Sequence, residues 1–400
     1  MDLFSRVVQK TLTTTTAVTC REPELFAGKG AIYDVVRHLI ESDRSCIMVS
    51  TMPEALEVGM LDGFFEELEH AGIHYIIYDK IVSDPTIECI EKMREKYVEE
   101  CCEAMVAVGG GSVIDASKAV LARVVKPKQP ISKMGGVMKV HHKLPDLYAV
   151  PTTAGTGSET TAAAVVTDTV NGVHYKYSIN DPCLIPRYAV LDPMMTVSLP
   201  KGMTATTGMD ALTHAVEAYT NLYASDKVKE MSLEAVRLIF GNLKRAYDDG
   251  TDIEAREAMQ RGAYYAGIAF TNNFVGYVHA VAHAMGGLYG MPHGLTNAII
   301  LPYVMEQFGP AINLQLADLA RAAGIASPGS RAKDAAVDFI SAIRDMNESM
   351  GIPDKIEKLK REDYNEIISR AIKEANPTYP VPVIWNERDF GDLLNKLIIE

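Results

Sequence analysis

Five short apolar runs recur along the first half of the chain and then stop. They are CIMVS (46–50), HYIIYD (74–79), AMVAVGG (104–110), LYAVPTT (147–153) and YAVLDP (188–193). Each has the length and near-continuous apolarity of a strand buried on both faces. Amphipathic stretches lie between several of them, PEALEVGMLDGFFEELEHAG (53–72) and DPTIECIEKMREKYVEE (84–100). Strand, helix, strand at this spacing builds βαβ units with right-handed crossovers and a parallel sheet. After Pro200 the texture changes. SLEAVRLIFGNLKRAYDD (232–249) and DAAVDFISAIRDMNESMG (334–351) have helical periodicity, and almost no strand-like run accompanies them. Helices stacked on helices form a core of their own. The 400 residues therefore divide near 194–200, into an α/β domain (1–197) and an all-α domain (198–400).

Composition excludes several function classes. At 48% hydrophobic and 23% charged the chain has apolar content for sizeable cores, which argues against disorder. A formal charge of −13 repels phosphate backbones and anionic lipid, so neither nucleic acid nor a membrane surface is an expected partner. No uncharged apolar run reaches the roughly 18 residues of a spanning helix. Cys20, Cys46, Cys89, Cys101, Cys102 and Cys183 form no CxxC pair, and read as thiols of a reducing compartment. MDLFSRVVQKTLTTTT has no secretory apolar core, so the expected location is the cytoplasm. No internal repeat is visible, and only a short threonine run marks residues 11–16.

Two strand ends are rich in glycine. AVGGGSVIDASKAV (107–120) begins as a strand and ends as a helix, with Gly109, Gly110 and Gly111 at the turn. Without side chains they let backbone N–H groups approach an anion, and the helix N-terminus favours negative charge. Ser112 is placed to cap that helix. VPTTAGTGSETT (150–161) repeats the pattern, with Thr152, Thr153, Thr156 and Ser158 supplying hydroxyls for ribose and phosphate oxygens. One such turn often does no more than join two elements. Two on neighbouring strand ends of a parallel sheet favour a bound nucleotide.

Histidine is sparse, yet three of the ten fall within VHAVAHAMGGLYGMPHG (278–294). His279 and His283 stand four apart on a helical pattern, and His293 follows a glycine-rich turn. TTGMDALTHAVEAYT (206–220) puts Asp210 and His214 at the same spacing, which stacks two side chains on one helix face. Both helices are otherwise apolar, so these groups face inward and need partners. Singly, each reads as a satisfied core residue. Together, one carboxylate and up to four imidazoles suit Fe2+ or Zn2+. The spacing leaves open which of His279, His283 and His293 stands outside the set.

These motifs, in this order, resemble the iron-containing (family III) alcohol dehydrogenases. The resemblance covers essentially the whole chain. It rests on GKGA (28–31), GGGSVIDASKA (109–119), PTTAGTGSET (151–160), LDP (191–193), GMDALTHAVEAY (208–219), GYVHAVAHAMGGLYGMPHG (276–294) and YPVP (379–382). It implies a Rossmann-like dinucleotide domain followed by an all-helical metal domain, the architecture shared with dehydroquinate synthase, with the active site in the cleft between them. The metal, Fe2+ with Zn2+ as the other candidate, would be held by Asp210, His214, His279 and His293. His283 matches the family's non-ligand histidine near the nicotinamide, and would act in catalysis by tuning or relaying the proton. Gly109, Gly110, Gly111, Ser112 and Asp115 fall in the pyrophosphate and ribose region. Thr152, Thr153 and Thr156 line the second nucleotide loop, and Lys176 matches a lysine that reaches the ribose. The implied reaction moves hydride between NAD or NADP and a small primary alcohol, diol or aldehyde. Relatives dimerise through N-terminal strands, here within residues 14–27.

Two positions depart from the pattern. NAD-preferring relatives commonly end the second strand with an aspartate, and here that place holds Thr51, which would admit NADP. Asp84 stands where many relatives have asparagine, and its carboxylate would discourage a 2′-phosphate. The two pull in opposite directions. Phe270, Phe274, Tyr277 and Tyr289 suggest a small, fairly apolar substrate pocket, or else packing of the helical core. The alternative reading is a metal- and NAD-dependent lyase of the dehydroquinate synthase type. It would want basic residues for a substrate phosphate, where this chain has Ala266, Phe270 and Phe274. A metallohydrolase would leave both glycine-rich loops unexplained.

Overall fold

All five apolar runs are strands of one parallel sheet. The computed structural model describes residues 2–170 and 173–399. Its strands are β1 (Glu24–Ala27), β2 (Cys46–Ser50), β3 (His74–Tyr78), β4 (Ala104–Gly109), β5 (Gly136–Val137), β6 (Asp146–Pro151), β7 (Ala163–Val170), β8 (Val173–Asn180) and β9 (Tyr188–Leu191). The main sheet has the order β1-β9-β6-β4-β2-β3, every neighbouring pair parallel. A smaller sheet, β5-β8-β7, carries an antiparallel hairpin that apolar periodicity did not reveal.

Helices cover both faces of the main sheet, which is why its strands are apolar throughout. These are α2 (Ala31–Glu41), α3 (Pro53–Glu57), α4 (Asp62–His70), α5 (Ile87–Glu99) and α6 (Gly111–Val125), preceded in the chain by α1 (Asp2–Thr19). Met48, Met105 and Leu147 pack toward α5 and α6, while Ile47, Val49, Val106 and Val150 pack toward α2 and α4. Each fully buried valine or isoleucine contributes about 1.5–3 kcal/mol over its exposed state. The helix expected over 53–72 is broken in two, where Gly59 takes φ +66°. The chain runs from β2 outward to β3, then crosses to β4 on the other side of β2. That reversal opens a crevice at the carboxyl ends of β2 and β4, the place where open α/β sheets take ligands.

The second unit consists of α7 (Lys201–Thr220), α8 (Asp226–Asp248), α9 (Ile253–Asn273), α10 (Tyr277–Tyr289), α11 (His293–Phe308), α12 (Asn313–Ala322), α13 (Ala332–Ser349), α14 (Tyr364–Ala375) and α15 (Glu387–Leu397). Helix α7 is its axis, buried without interruption from Gly208 to Thr220. Among the described residues no helix is long and apolar enough to cross a membrane.

One expectation about organisation is corrected. Helix α1 does not join the α/β unit, which spans Cys20–Leu199, but packs with the helical one. Its polar side chains make the join. Arg6 donates to Val381 O at 2.6 Å, Gln9 to Asn376 O at 3.0 Å and Thr16 to Asn272 O at 3.1 Å. The threonine run is helical although β-branched residues disfavour helix. Thr11, Thr13, Thr14, Thr15 and Thr19 each donate a hydroxyl to the carbonyl four residues back. Of the stretch 14–27, where intersubunit strands were expected, residues 14–19 are therefore helix. Only Glu24–Ala27 is a strand, at the edge of the sheet.

Candidate active site

At the carboxyl end of β4 two of the three glycines, Gly109 and Gly111, pack where a side chain would collide. A Cβ on Gly109 would stand 2.4 Å from Val113 Cγ2, and one on Gly111 2.9 Å from Thr156 Cγ2. A Cβ on Gly110 would meet Thr153 Cγ2 at 3.4 Å. The two glycine-rich loops are thus in contact and form one cradle. Thr152 N donates to Gly109 O at 3.1 Å, which ties them through the backbone. Thr156 Oγ1 accepts from Ser158 N at 3.3 Å. Thr153 Oγ1 is buried with no hydrogen-bond partner among the described residues. A bare backbone cradle with an orphaned hydroxyl beside it fits a phosphate- and ribose-bearing ligand.

Several expected nucleotide contacts are redirected. Ser112 does not cap α6, which starts from Gly110 with no side-chain cap, because it already lies inside the first turn. Its hydroxyl instead accepts from Asp84 N at 3.4 Å. Asp115 faces the protein: it accepts from Ser158 Oγ and, at 2.9 Å, from Val165 N. Burial raises its pKa against those bonds and the nearby Lys118. Lys176 reaches Asp84, with Nζ 2.6 Å from Oδ2, so each charge neutralises the other. Thr51 is fully buried at the end of β2, so its hydroxyl is not presented at the surface. Sequence reading passed over Lys118, whose ammonium is fully buried behind the cradle. It donates to Ser158 Oγ, Thr161 Oγ1, Thr161 O and Ala163 O at 2.8–3.1 Å. A lysine three residues after Asp115 on an otherwise apolar helix was the available signal.

In the helical unit one i, i+4 pair, Asp210 and His214, converges with one member of the other, His279, and with His293. Asp210 and His214 from α7, His279 from α10 and His293 from the first turn of α11 each offer a donor atom, all within 4.8 Å of one another. Asp210, His214 and His279 are buried, while the His293 side chain is 41% exposed. Bonds of about 2.0–2.2 Å would draw such donors within about 4.4 Å, so a cation needs only a slight closure. Burial, with His214, His293 and His283 close by, holds the His279 pKa well below its ordinary value. A neutral imidazole is the form that binds metal.

Glu217, missed in the sequence, orients His279. Its Oε2 lies 2.6 Å from His279 Nδ1, and the carboxylate also accepts from Gly276 N at 2.8 Å and Val278 N at 2.7 Å. This puts the proton on Nδ1 and turns the Nε2 lone pair toward Asp210. Burial pushes the Glu217 carboxyl up to about 8 despite those backbone donors. A cation on the far side of His279 would favour the ionised form. The signal was its place on α7, one turn beyond His214.

His283 stands outside the cluster. Its Nδ1 is 2.7 Å from Glu374 Oε1, which also accepts from the Tyr379 hydroxyl at 2.7 Å. Its ring stacks on His293 at 5.1 Å. Burial is the largest single influence and opposes its charged form, but Glu374, joined by the charges of Asp210 and Glu217, raises the His283 pKa on balance. Of the four aromatics expected at a pocket, Phe270 stacks on His214 at 4.2 Å and Phe274 lies 6.4 Å from Tyr379. Tyr277 is instead core, fully buried against Phe308, Trp385 and Phe390. Tyr289 is turned away and donates to Asp363 at 2.7 Å.

A nucleotide cradle at a sheet switch point and a carboxylate–imidazole cluster in one chain define a class, the metal-assisted nicotinamide oxidoreductases. Comparison with known proteins is more specific. The sequence model of iron-containing alcohol dehydrogenases matches residues 23–193, and that of the family's C-terminal region matches 204–398. The chain is 34% identical over 360 residues to 1,3-propanediol dehydrogenase of Citrobacter freundii, covering 90% of this chain and 92% of that protein. It is 33% identical over 378 residues to NAD-dependent methanol dehydrogenase of Bacillus methanolicus, covering 94% and 98%. The crystal structure of a 1,3-propanediol oxidoreductase superposes with a TM-score of 0.89 at 33% identity, covering 94% of this chain and 98% of that one. The chain belongs to the iron-containing alcohol dehydrogenase family. These matches lend no support to the lyase reading.

Proposed function

We propose that this protein is a metal-dependent, NAD(P)-linked alcohol dehydrogenase and aldehyde reductase. Its metal would be held by Asp210, His214, His279 and His293, and its substrate is a small primary alcohol, diol or aldehyde. The convergence of those four donor groups in the helical unit carries the reading. When bound, Fe2+ or Zn2+ supplies Lewis acidity that lowers an alcohol's pKa or polarises a carbonyl, and the nicotinamide accepts or returns hydride.

The chain's own residues do the rest. Glu217 fixes the tautomer of His279. Phe270, stacked on His214, walls the cluster on that side. His283, held by Glu374, takes or returns the proton. The glycine turn at 109–111 and Thr152, Thr153 and Thr156 cradle the dinucleotide. Asp84, neutralised by Lys176, and the buried Thr51 leave both NAD and NADP acceptable. We place the enzyme in the cytoplasm, in keeping with its six free cysteines. A homodimer is expected to form along β1, whose outer edge has no strand beside it among the described residues.

The test is a metal-dependent assay. Chelated apo-protein is restored with Fe2+ anaerobically, or with Zn2+, and NADH and NADPH oxidation is followed with short aldehydes. Turnover should require metal and fail in His279→Ala. Metal and nucleotide binding without turnover on any aldehyde would overturn the reading.

A further inference from the structure

Asn297 sits one turn after His293 on α11, fully buried. Its Nδ2 lies 2.8 Å from Asp210 Oδ1, 3.1 Å from His279 Nε2 and 3.1 Å from His293 Nε2. One amide nitrogen thus faces a donor atom from three of the four groups of the cluster. Its own oxygen is buried with no partner among the described residues. A buried carbonyl left unpaired costs free energy, so something holds the amide in this sense. The chemistry of its neighbours does. His279 Nε2 is an acceptor, because Nδ1 gives its proton to Glu217. A reversed amide would press an oxygen against a carboxylate and that lone pair. Only N–H groups pointing inward satisfy both.

We infer that Asn297 is a positioning residue of the metal centre: its amide fixes the rotation of the Asp210 carboxylate and gathers the donors into one set. This deepens the metal reading above and rests on it. Two amide hydrogens serve three acceptors, so the contacts to His279 and His293 are the ones a cation replaces. The bond to Asp210 is charge-assisted and can persist beside the metal. Removing the donor leaves the carboxylate free to rotate and its buried lone pairs without a partner.

Two variants test this in the full chain. Asn297→Leu keeps the branched outline, at a somewhat larger volume, and removes the donor. Asn297→Asp keeps the shape and replaces the donor with an acceptor. Zn2+ affinity is read by competition with a chromophoric chelator, and ligand geometry by the visible bands of the Co2+-substituted protein. Partners of metal ligands are typically worth 10–100-fold in affinity, and a loss of that size is expected in Asn297→Leu. The Co2+ bands should move in both variants, which a purely structural role for Asn297 would not cause. A Zn2+ affinity within twofold of the parent, with unchanged Co2+ bands and an intact fold, would overturn the inference. If Asn297→Leu does not fold, the bands and affinity of Asn297→Asp decide alone. A parent protein that binds neither Zn2+ nor Co2+ would count against the metal reading itself.

Discussion

His283 differs from its neighbours in what its Nδ1 touches. The nitrogen is 2.7 Å from a carboxylate that Tyr379 also holds, so the ring is oriented from behind as a ligand histidine would be, yet it stands outside the cluster. With Glu374 present the His283 pKa is raised, although burial works the other way. Alcohol oxidation needs the neutral imidazole as proton acceptor. Activity therefore falls as pH drops through that raised pKa. Glu374→Gln removes the largest raising charge and leaves only those of Asp210 and Glu217 against burial, so the acid limb of the kcat profile should move to lower pH. A limb that stays put in the metal-saturated variant would remove His283 from the proton path. None of this pairing was legible in the sequence. His283 and Glu374 are 91 positions apart, and a glutamate at the end of an amphipathic helix reads as a solvated charge. Glu217 was only half legible: its place on α7 one turn beyond His214 marks an inward carboxylate, but its three bonds to another helix's start are invisible in that spacing.

Elements were far more legible than their partners. The five strands of the main sheet announced themselves because burial on both faces leaves nothing polar to interrupt them. The spacings on α7 and α10 were legible because an apolar helix has few reasons to carry an aspartate or a histidine. Helix α1 was not, since its threonines satisfy themselves against their own backbone and show no propensity signal. Nor was the contact between the two glycine loops, which depends on sheet order. That contact makes a sharp prediction. Gly111→Ala places a Cβ 2.9 Å from the Thr156 methyl, and the cradle must open to admit it. NADH affinity should fall about tenfold, or about 1.4 kcal/mol, while Zn2+ affinity is unchanged. Adding Thr156→Ser removes the methyl, the shortest of the contacts, and should restore part of the loss, a non-additivity expected only of groups in contact. Fluorescence titration of NADH reads both. Additive effects would place the strain elsewhere.

At the scale of the whole molecule, the four donor groups and α1 belong to one compact unit, and the nucleotide cradle to the other. A cation that binds only the folded cluster stabilises it by mass action, by about 2.7 kcal/mol at one hundred times its dissociation constant. For a unit of this size that is roughly 5–10 °C in melting temperature, and chelation should remove it. The same linkage says where the protection falls. Hydrogen exchange should slow on metal addition in α7, α10 and the start of α11, which supply the donors. It should slow in α1 as well, although that helix holds no ligand and begins the chain. Arg6 and Gln9 tie α1 to the segment around Asn376, and Asn376 accepts from the hydroxyl of Tyr277, two residues before His279. An α1 that exchanges at the same rate with and without metal, while α7 is protected, would mean that these bonds do not couple it to the cluster. Protection of α1 together with α7 would show that the first nineteen residues fold with the last two hundred.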